Sequence, residues 1–326
     1  VKLYPLIFHP RLKPRPWGGR TLAELYQKPL PVGEKVGESW EISDRPGDAG
    51  VIANGPLAGR DLRWLMEQHA PAVLGAARPV DGRFPLLVKI LDAREVLSVQ
   101  VHPPAAVAAR LGGEPKTELW YVTRAGPAAR LWVGLKAGTT RAEFERRIRE
   151  GTVAEALHQI PVRAGDAMFL PSGRVHALGA DLVIFEIQQN SDTTYRVFDW
   201  NRIGPDGRPR ELHLEAALAS IDFGDFEPAL ISAPWQSEGP WSRRRLSDQA
   251  LFRVEEFRAN ESAVRQWTGD RAVIFGVVSG QARLEPVDHG PGLDLKPGQF
   301  SLVPAAALPV QLAARAGTTL LAASPG

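Results

Sequence analysis

The amino-acid sequence predicts a mainly β protein: two related units of barrel or jelly-roll type, built of many short strands, with a few short helices. Three observations carry that expectation. Short alternating or continuous apolar runs recur along the 326 residues, punctuated by 31 glycines and 28 prolines. A segment repeats: "VRAGDAMFLPSGRVHAL" from Val162 is echoed by "LKPGQFSLVPAAALPVQL" from Leu295, with Gly165 six residues before Pro171 as Gly298 is before Pro304. Each copy is also preceded by a strand–turn–strand pattern, "ELWYVTRAGPAARLWVG" in the first and "IFGVVSGQARLE" in the second. Five residues beyond the prolines come His176 in one copy and Pro309 in the other, so only the first unit carries polar candidates facing inward.

Taken in order, residues 1–35 read as proline-rich and irregular, with one short helix at "TLAELYQK", where Thr21 and Glu24 have capping-box spacing. "VGESWEISD" reads as a strand. "GRDLRWLMEQH" reads as an amphipathic helix with Leu62, Leu65 and Met66 on one face. "FPLLVKILDA" and "EVLSVQVHPP" follow as strands joined by a short turn, then "ELWYVT" and "AARLWVGL". A helical insert is expected near 139–158, because Thr140 and Glu143 form a cap pair ahead of a 3–4 periodicity in "TTRAEFERRIREGTVAEALHQI". Strands "DAMFLPSG" and "DLVIFEIQQ" and a helix "LHLEAALASI" complete the first unit. The expected organisation is a catalytic unit over 1–223, a linker or crossover over 224–247, where Pro, Ser, Trp and charge occur without periodicity, and a second β unit over 248–326.

Composition narrows the function classes. The chain has 39 basic and 37 acidic side chains, a net charge of +2, which argues against a dedicated nucleic-acid binder. It has no cysteine, so disulfides and thiolate metal sites are excluded. No run reaches the roughly 18 apolar residues of a spanning helix, and no membrane partner is expected. A cytoplasmic protein is the expectation; oligomeric state is open.

Polar residues in apolar strands mark the candidate site. In "LSVQVHPP", Gln100 and His102 are two apart, so in a strand they point to one face, and the two prolines that follow end the strand. Glu118 opens the next strand, with Lys116 two residues before it, and His176 follows the turn "PSGR". Two imidazoles, a carboxylate and an amide oxygen are a reasonable shell for a divalent ion, zinc before manganese or cobalt. A single histidine is more often a packed or surface residue than a ligand, and His9, His69, His158, His213 and His289 are read that way. Spacing alone does not assemble the four into one site.

A resemblance does. "SVQVHPP", "PKTELWYV", "FLPSGRVHAL" and "EIQQNSDTTYRVFDWNR" resemble the type I phosphomannose isomerases, in their short bacterial branch, from "RPWGG" at 15–19 to the end of the chain. The resemblance implies a cupin fold and one zinc ion per chain held by Gln100, His102, Glu118 and His176. It also implies interconversion of mannose 6-phosphate and fructose 6-phosphate, and a catalytic arginine at Arg196. The second cupin unit would be without ligands.

Aldose–ketose isomerisation passes through an enediolate whose charge needs an adjacent cation. Arg196 keeps its charge at any working pH and suits that task or gripping phosphate. Lys116 is the second catalytic candidate, on the expectation that burial beside a metal lowers its pKa. The general base stays open between a metal-bound hydroxide, Glu186 and Asp192. With no P-loop or glycine-rich fingerprint, side chains should capture the phosphate; Arg202, Arg174 and Lys116 are candidates, and Trp17 could line the site or sit in the core. The alternatives are another cupin hexose-phosphate isomerase or epimerase, a non-catalytic sugar-phosphate-binding regulatory protein, or a purely structural bicupin.

Overall fold

The computed structural model describes residues 2–203, 207–287 and 290–326. His289 lies outside the described residues. The chain folds into two compact units that are not consecutive in sequence: one comprises Pro14–Gly19 and Leu91–Ile231, the other Val1–Lys13, Arg20–Ile90 and Ser232–Gly326.

The first of these holds every candidate site residue. One sheet of five antiparallel strands runs in the order Tyr195–Phe198, Val99–Val101, His176–Leu178, Arg130–Leu135 and Leu157–Pro161. In a second sheet, Ala167–Leu170, Glu118–Ala125 and Leu182–Gln189 are neighbours in that order. Apart from the paired strands Arg130–Leu135 and Leu157–Pro161, strands consecutive in sequence alternate between these sheets from Val99 to Phe198, as in a jelly roll. Inward side chains of both, including Trp120, Val122, Leu131, Val133, Leu170, Leu178 and Ile184, form one buried core, and Trp17 is part of it.

The other unit repeats this design. Its sheets run Gln236–Glu238, Trp241–Asp248, Phe252–Ala259, Thr319–Pro325, Val273–Ser279, Phe300–Val303, and Ala263–Trp267, Val310–Ala314, Ala282–Pro286, Leu293–Leu295. The sequence echo is structural. Gly165 and Gly298 both adopt positive φ in the turn before a strand, the conformation glycine tolerates best. The strand opening at Val310 pairs with Ala263–Trp267, as the strand opening at His176 pairs with the one holding Gln100. Where the first unit sets His176 opposite Gln100, the second sets Val310 opposite Trp267, whose ring meets Phe275 and Phe257 at centroid distances of 4.8 and 5.2 Å. An aromatic plug replaces the polar pair.

Several local expectations are corrected. Residues 11–19 form a nine-residue strand despite Pro14 and Pro16; it ends its sheet, the position where proline is tolerated. Thr21 is the first helical residue and buried, and no side chain caps that helix, so there is no capping box. The insert is half helix: Thr140 caps Arg141–Glu150 by accepting from the Glu143 amide, Gly151 in the left-handed conformation ends it, and Leu157–Pro161 pairs with Arg130–Leu135 as a strand. His158 is therefore on a strand. The expected linker contains Gln236–Glu238 and most of Trp241–Asp248, two paired strands whose alternation is masked by partly exposed arginines.

Candidate metal centre

Gln100 is the middle residue of a three-residue strand with neighbours on both sides. His176 is its register partner in one and Arg196 in the other. Directly opposed residues of antiparallel strands send their side chains to the same face, so three sequence-distant polar residues form one row. His102 follows at the end of the same strand, where Pro103 and Pro104 stop it. Glu118 comes from the second sheet as the first residue of its strand, opposite Leu170 and Gln188.

Buried at 1, 0 and 1% exposure, His102, Glu118 and His176 are, among the described residues, a group whose ligating atoms lie within 4.8 Å of one another. His102 Nε2 stands 3.6 Å from Glu118 Oε2, and His176 Nε2 3.4 Å from Glu118 Oε1. Two ligand atoms each about 2.0–2.1 Å from a tetrahedral zinc lie roughly 3.3–3.4 Å apart. These separations are long for hydrogen bonds and close to what a shared ion requires. Neither Glu118 oxygen has a well-formed hydrogen bond, although the Lys116 ammonium lies 2.9 Å from Oε2. A buried carboxylate left in this way fits a cation. The Gln100 amide nitrogen lies 3.3 Å from His176 Nε2. An amide presents its oxygen at the same place after a half-turn, so Gln100 could offer a fourth donor atom there.

The imidazoles are held in the tautomer a metal needs. His102 Nδ1 is 2.8 Å from the Thr193 carbonyl and His176 Nδ1 is 3.0 Å from the Arg174 carbonyl. A carbonyl only accepts, so each Nδ1 carries the proton and each Nε2 lone pair faces Glu118. Burial first, then the Lys116 ammonium, push His102 down to about 4, and burial lowers His176 as well. Burial would raise Glu118, but Lys116 and the two imidazoles outweigh it and hold its carboxyl well below the usual range. The site is ready to take a cation at neutral pH without first shedding protons.

Lys116, 4% exposed, points into the same space, 3.2 Å from His102 Nε2. Its pKa departs from the expectation. Burial alone would lower it, but the Glu118, Glu186 and Asp192 carboxylates more than compensate and raise it above the ordinary lysine value.

The remaining candidates are placed differently. Arg174 is bidentate to Asp225, at 2.8 and 2.7 Å, and donates to the Phe169 carbonyl at 2.7 Å. Arg202 is bound to Asp199 and to the Val96 carbonyl. Both guanidiniums serve the protein's own loops. Trp17, 4% exposed, is core. Glu186 accepts the Trp120 indole N–H at 2.8 Å. Two residues missed in the sequence, Arg15 and Arg210, lie near Arg196 and Arg202 around Asp199: burial and then Arg196 hold Arg210 below the usual arginine value, with Arg202 and Arg15 adding to this and Asp199 opposing it. The charged runs "KPRP" and "RPRE" were the only signal for them.

Among the described residues, no helix is long and apolar enough to cross a membrane. Residues 6–118 match the family described as phosphomannose isomerase type I, catalytic domain. A mannose-6-phosphate isomerase of Streptococcus mutans is 36% identical over 281 residues, covering 86% of each chain. Mannose-6-phosphate isomerase ManA of Bacillus subtilis is 40% identical over 221 residues, 67% of this chain and 68% of that one. The crystal structure of a Bacillus subtilis mannose 6-phosphate isomerase superposes with a TM-score of 0.88 at 31% identity, covering 98% of this chain and 99% of that chain. That likeness extends the cupin architecture over both units. With relatives so similar along most of its length, this chain belongs to the type I phosphomannose isomerase family.

Proposed function

We propose that this protein is a metal-dependent mannose-6-phosphate isomerase, interconverting mannose 6-phosphate and fructose 6-phosphate through a cis-enediol(ate). The observation that carries the reading is the buried His102–Glu118–His176 group with Lys116 beside it and Arg196 on the same row, in a chain of this family.

Zinc, held by Gln100, His102, Glu118 and His176, is the ion proposed, because imidazole with one carboxylate and one amide suits it. When bound it supplies positive charge and Lewis acidity next to the sugar oxygens. Lys116 keeps its proton and donates to a substrate oxygen as charge develops there. Arg196, permanently charged, faces the enediolate from the strand next to Gln100. Proton transfer between C1 and C2 on one face needs a base. Glu186 is assigned that role over Asp192, because it is buried on the wall facing the site whereas Asp192 is exposed. Arg15, Arg196 and Arg210 offer the phosphate dianion its counter-charge, in place of Arg174 and Arg202, which are held by Asp225 and Asp199.

The test is to follow fructose 6-phosphate formation from mannose 6-phosphate by metal-analysed protein, before and after chelation and after zinc is restored. Turnover should fall on chelation and return with zinc. Stoichiometric zinc without turnover would move the substrate to another phosphorylated hexose; turnover indifferent to chelation would end the metal reading.

A further inference from the structure

We propose that Gln188 is a positioning residue for the metal centre: its amide holds the turn that aims His102. The inference rests on reading His102, Glu118 and His176 as metal ligands.

Gln188 occupies the last turn-facing position of the Leu182–Gln189 strand, directly opposite Glu118, so the two side chains share the inner face. It is fully buried, with the Glu118 and Glu186 carboxylates as its nearest neighbours on that face. Its Nε2 donates to two carbonyls of the following turn, Gln189 O and Ser191 O, each at 2.7 Å. Carbonyls only accept, so both N–H groups must point at the turn and the amide cannot be flipped. The consequence is a buried Oε1 with no hydrogen-bond partner, a cost a leucine would avoid.

What the cost secures can be followed bond by bond. The turn is closed by the Ser191 amide donating to Gln189 O at 2.7 Å. Ser191 Oγ accepts the Thr193 amide and donates to the Glu114 carbonyl, both at 3.2 Å, and Thr193 Oγ1 accepts the Glu114 amide at 3.0 Å. The Thr193 carbonyl is thereby held where it accepts from His102 Nδ1 at 2.8 Å. Gln188 is thus two hydrogen-bonded steps from the group that sets the His102 tautomer and ring angle. Such outer partners typically contribute about 10–100-fold to metal affinity.

The experiment uses the full chain with Gln188→Leu, reading zinc affinity by chelator competition and the visible spectrum of the cobalt-loaded protein. Leu312→Ala, in the core of the other unit, controls for loss of stability. Zinc binding should weaken about 10–100-fold in Gln188→Leu and not in the control, and the cobalt bands should shift as the imidazole turns. A zinc Kd within twofold of wild type together with an unaltered cobalt spectrum would overturn the proposal. If Gln188→Leu does not fold, Ser191→Ala, which cuts the same relay, should weaken zinc several-fold; no change would overturn it equally. Wild-type protein that binds zinc but does not isomerise mannose 6-phosphate leaves this inference standing while ending the proposed activity. Wild-type protein that binds no zinc ends both.

Discussion

Gln100 and Arg196 are register partners on adjacent antiparallel strands, so the amide and the guanidinium rise side by side from one face of the sheet. With His176 on the other flank of Gln100, the row runs from a permanent cation to an imidazole of the buried His102–Glu118–His176 group across three short strands. A sugar phosphate laid along that row meets a fixed charge at one end and the ligand group at the other. Arg196→Ala should therefore lower kcat/KM by about 10²–10³-fold, the usual cost of removing one charge-stabilising donor, while zinc content stays stoichiometric. Steady-state kinetics and metal analysis of the same preparation check both halves.

His176 joins the site through Nε2, with Nδ1 held by the Arg174 carbonyl. On the proposed ligand set, His176→Ala removes a ligand rather than a partner of one. Zinc affinity should fall by more than the ~10–100-fold that outer partners cost, and activity should fall with it. Circular dichroism should show the fold retained. Full metal occupancy in the variant would take His176 out of the ligand set.

Lys116 lies against Glu118 and His102 in the space a metal ion would share. Replacing it with methionine removes a like charge from the neighbourhood of that ion. Lys116→Met should bind zinc at least as tightly as wild type yet lose about 10²–10⁴-fold in kcat, the range for a positioned proton donor. Loss of metal in parallel with loss of activity would instead make the ammonium part of the scaffold.

The metal-free protein should be acid-sensitive in a defined window. His102 is pushed down to about 4 by burial and by Lys116, whereas an imidazole in the unfolded chain titrates near 6.5. Between those values the unfolded chain binds the extra proton. The stability is complete above about 6.5 and is lost as pH falls through that value toward 4, about 3 kcal/mol in all at ~1.4 kcal/mol per pH unit. Urea unfolding of chelated protein from pH 7.5 to 4.5 checks it, and His102→Gln should flatten the dependence.

Trp17 packs in the core of its unit. Trp17→Ala should cost about 3–5 kcal/mol of stability, while KM in the folded fraction stays near wild type. A raised KM without destabilisation would return Trp17 to the substrate's wall.

Much of this site was legible in the sequence, because a strand's period of two is local. Gln100 and His102 announce a shared face from their spacing, and the Gly–Pro echo announces a second unit in which Pro309 stands where the first has His176. The family motifs then name the ligand set. Charged side chains were less legible. Arg174 and Arg202 read as phosphate hands, but Asp225, 51 residues away, and the Val96 carbonyl, 106 residues away, hold them. An arginine's partner is chosen by the fold, not by its neighbours in sequence. The same holds for Lys116, where three carboxylates outweigh burial and reverse the expected direction of its pKa.

By itself, then, the sequence determined the class of fold, the repeat and the residue types able to hold a metal, since alternation, turn residues and motif chemistry are written within short windows. Only the tertiary structure decided which of these residues meet. Cross-strand register sets Arg196, Gln100 and His176 in one row, and a backbone carbonyl 91 residues from His102 fixes its tautomer. Both depend on contacts between distant segments, and no local pattern encodes them.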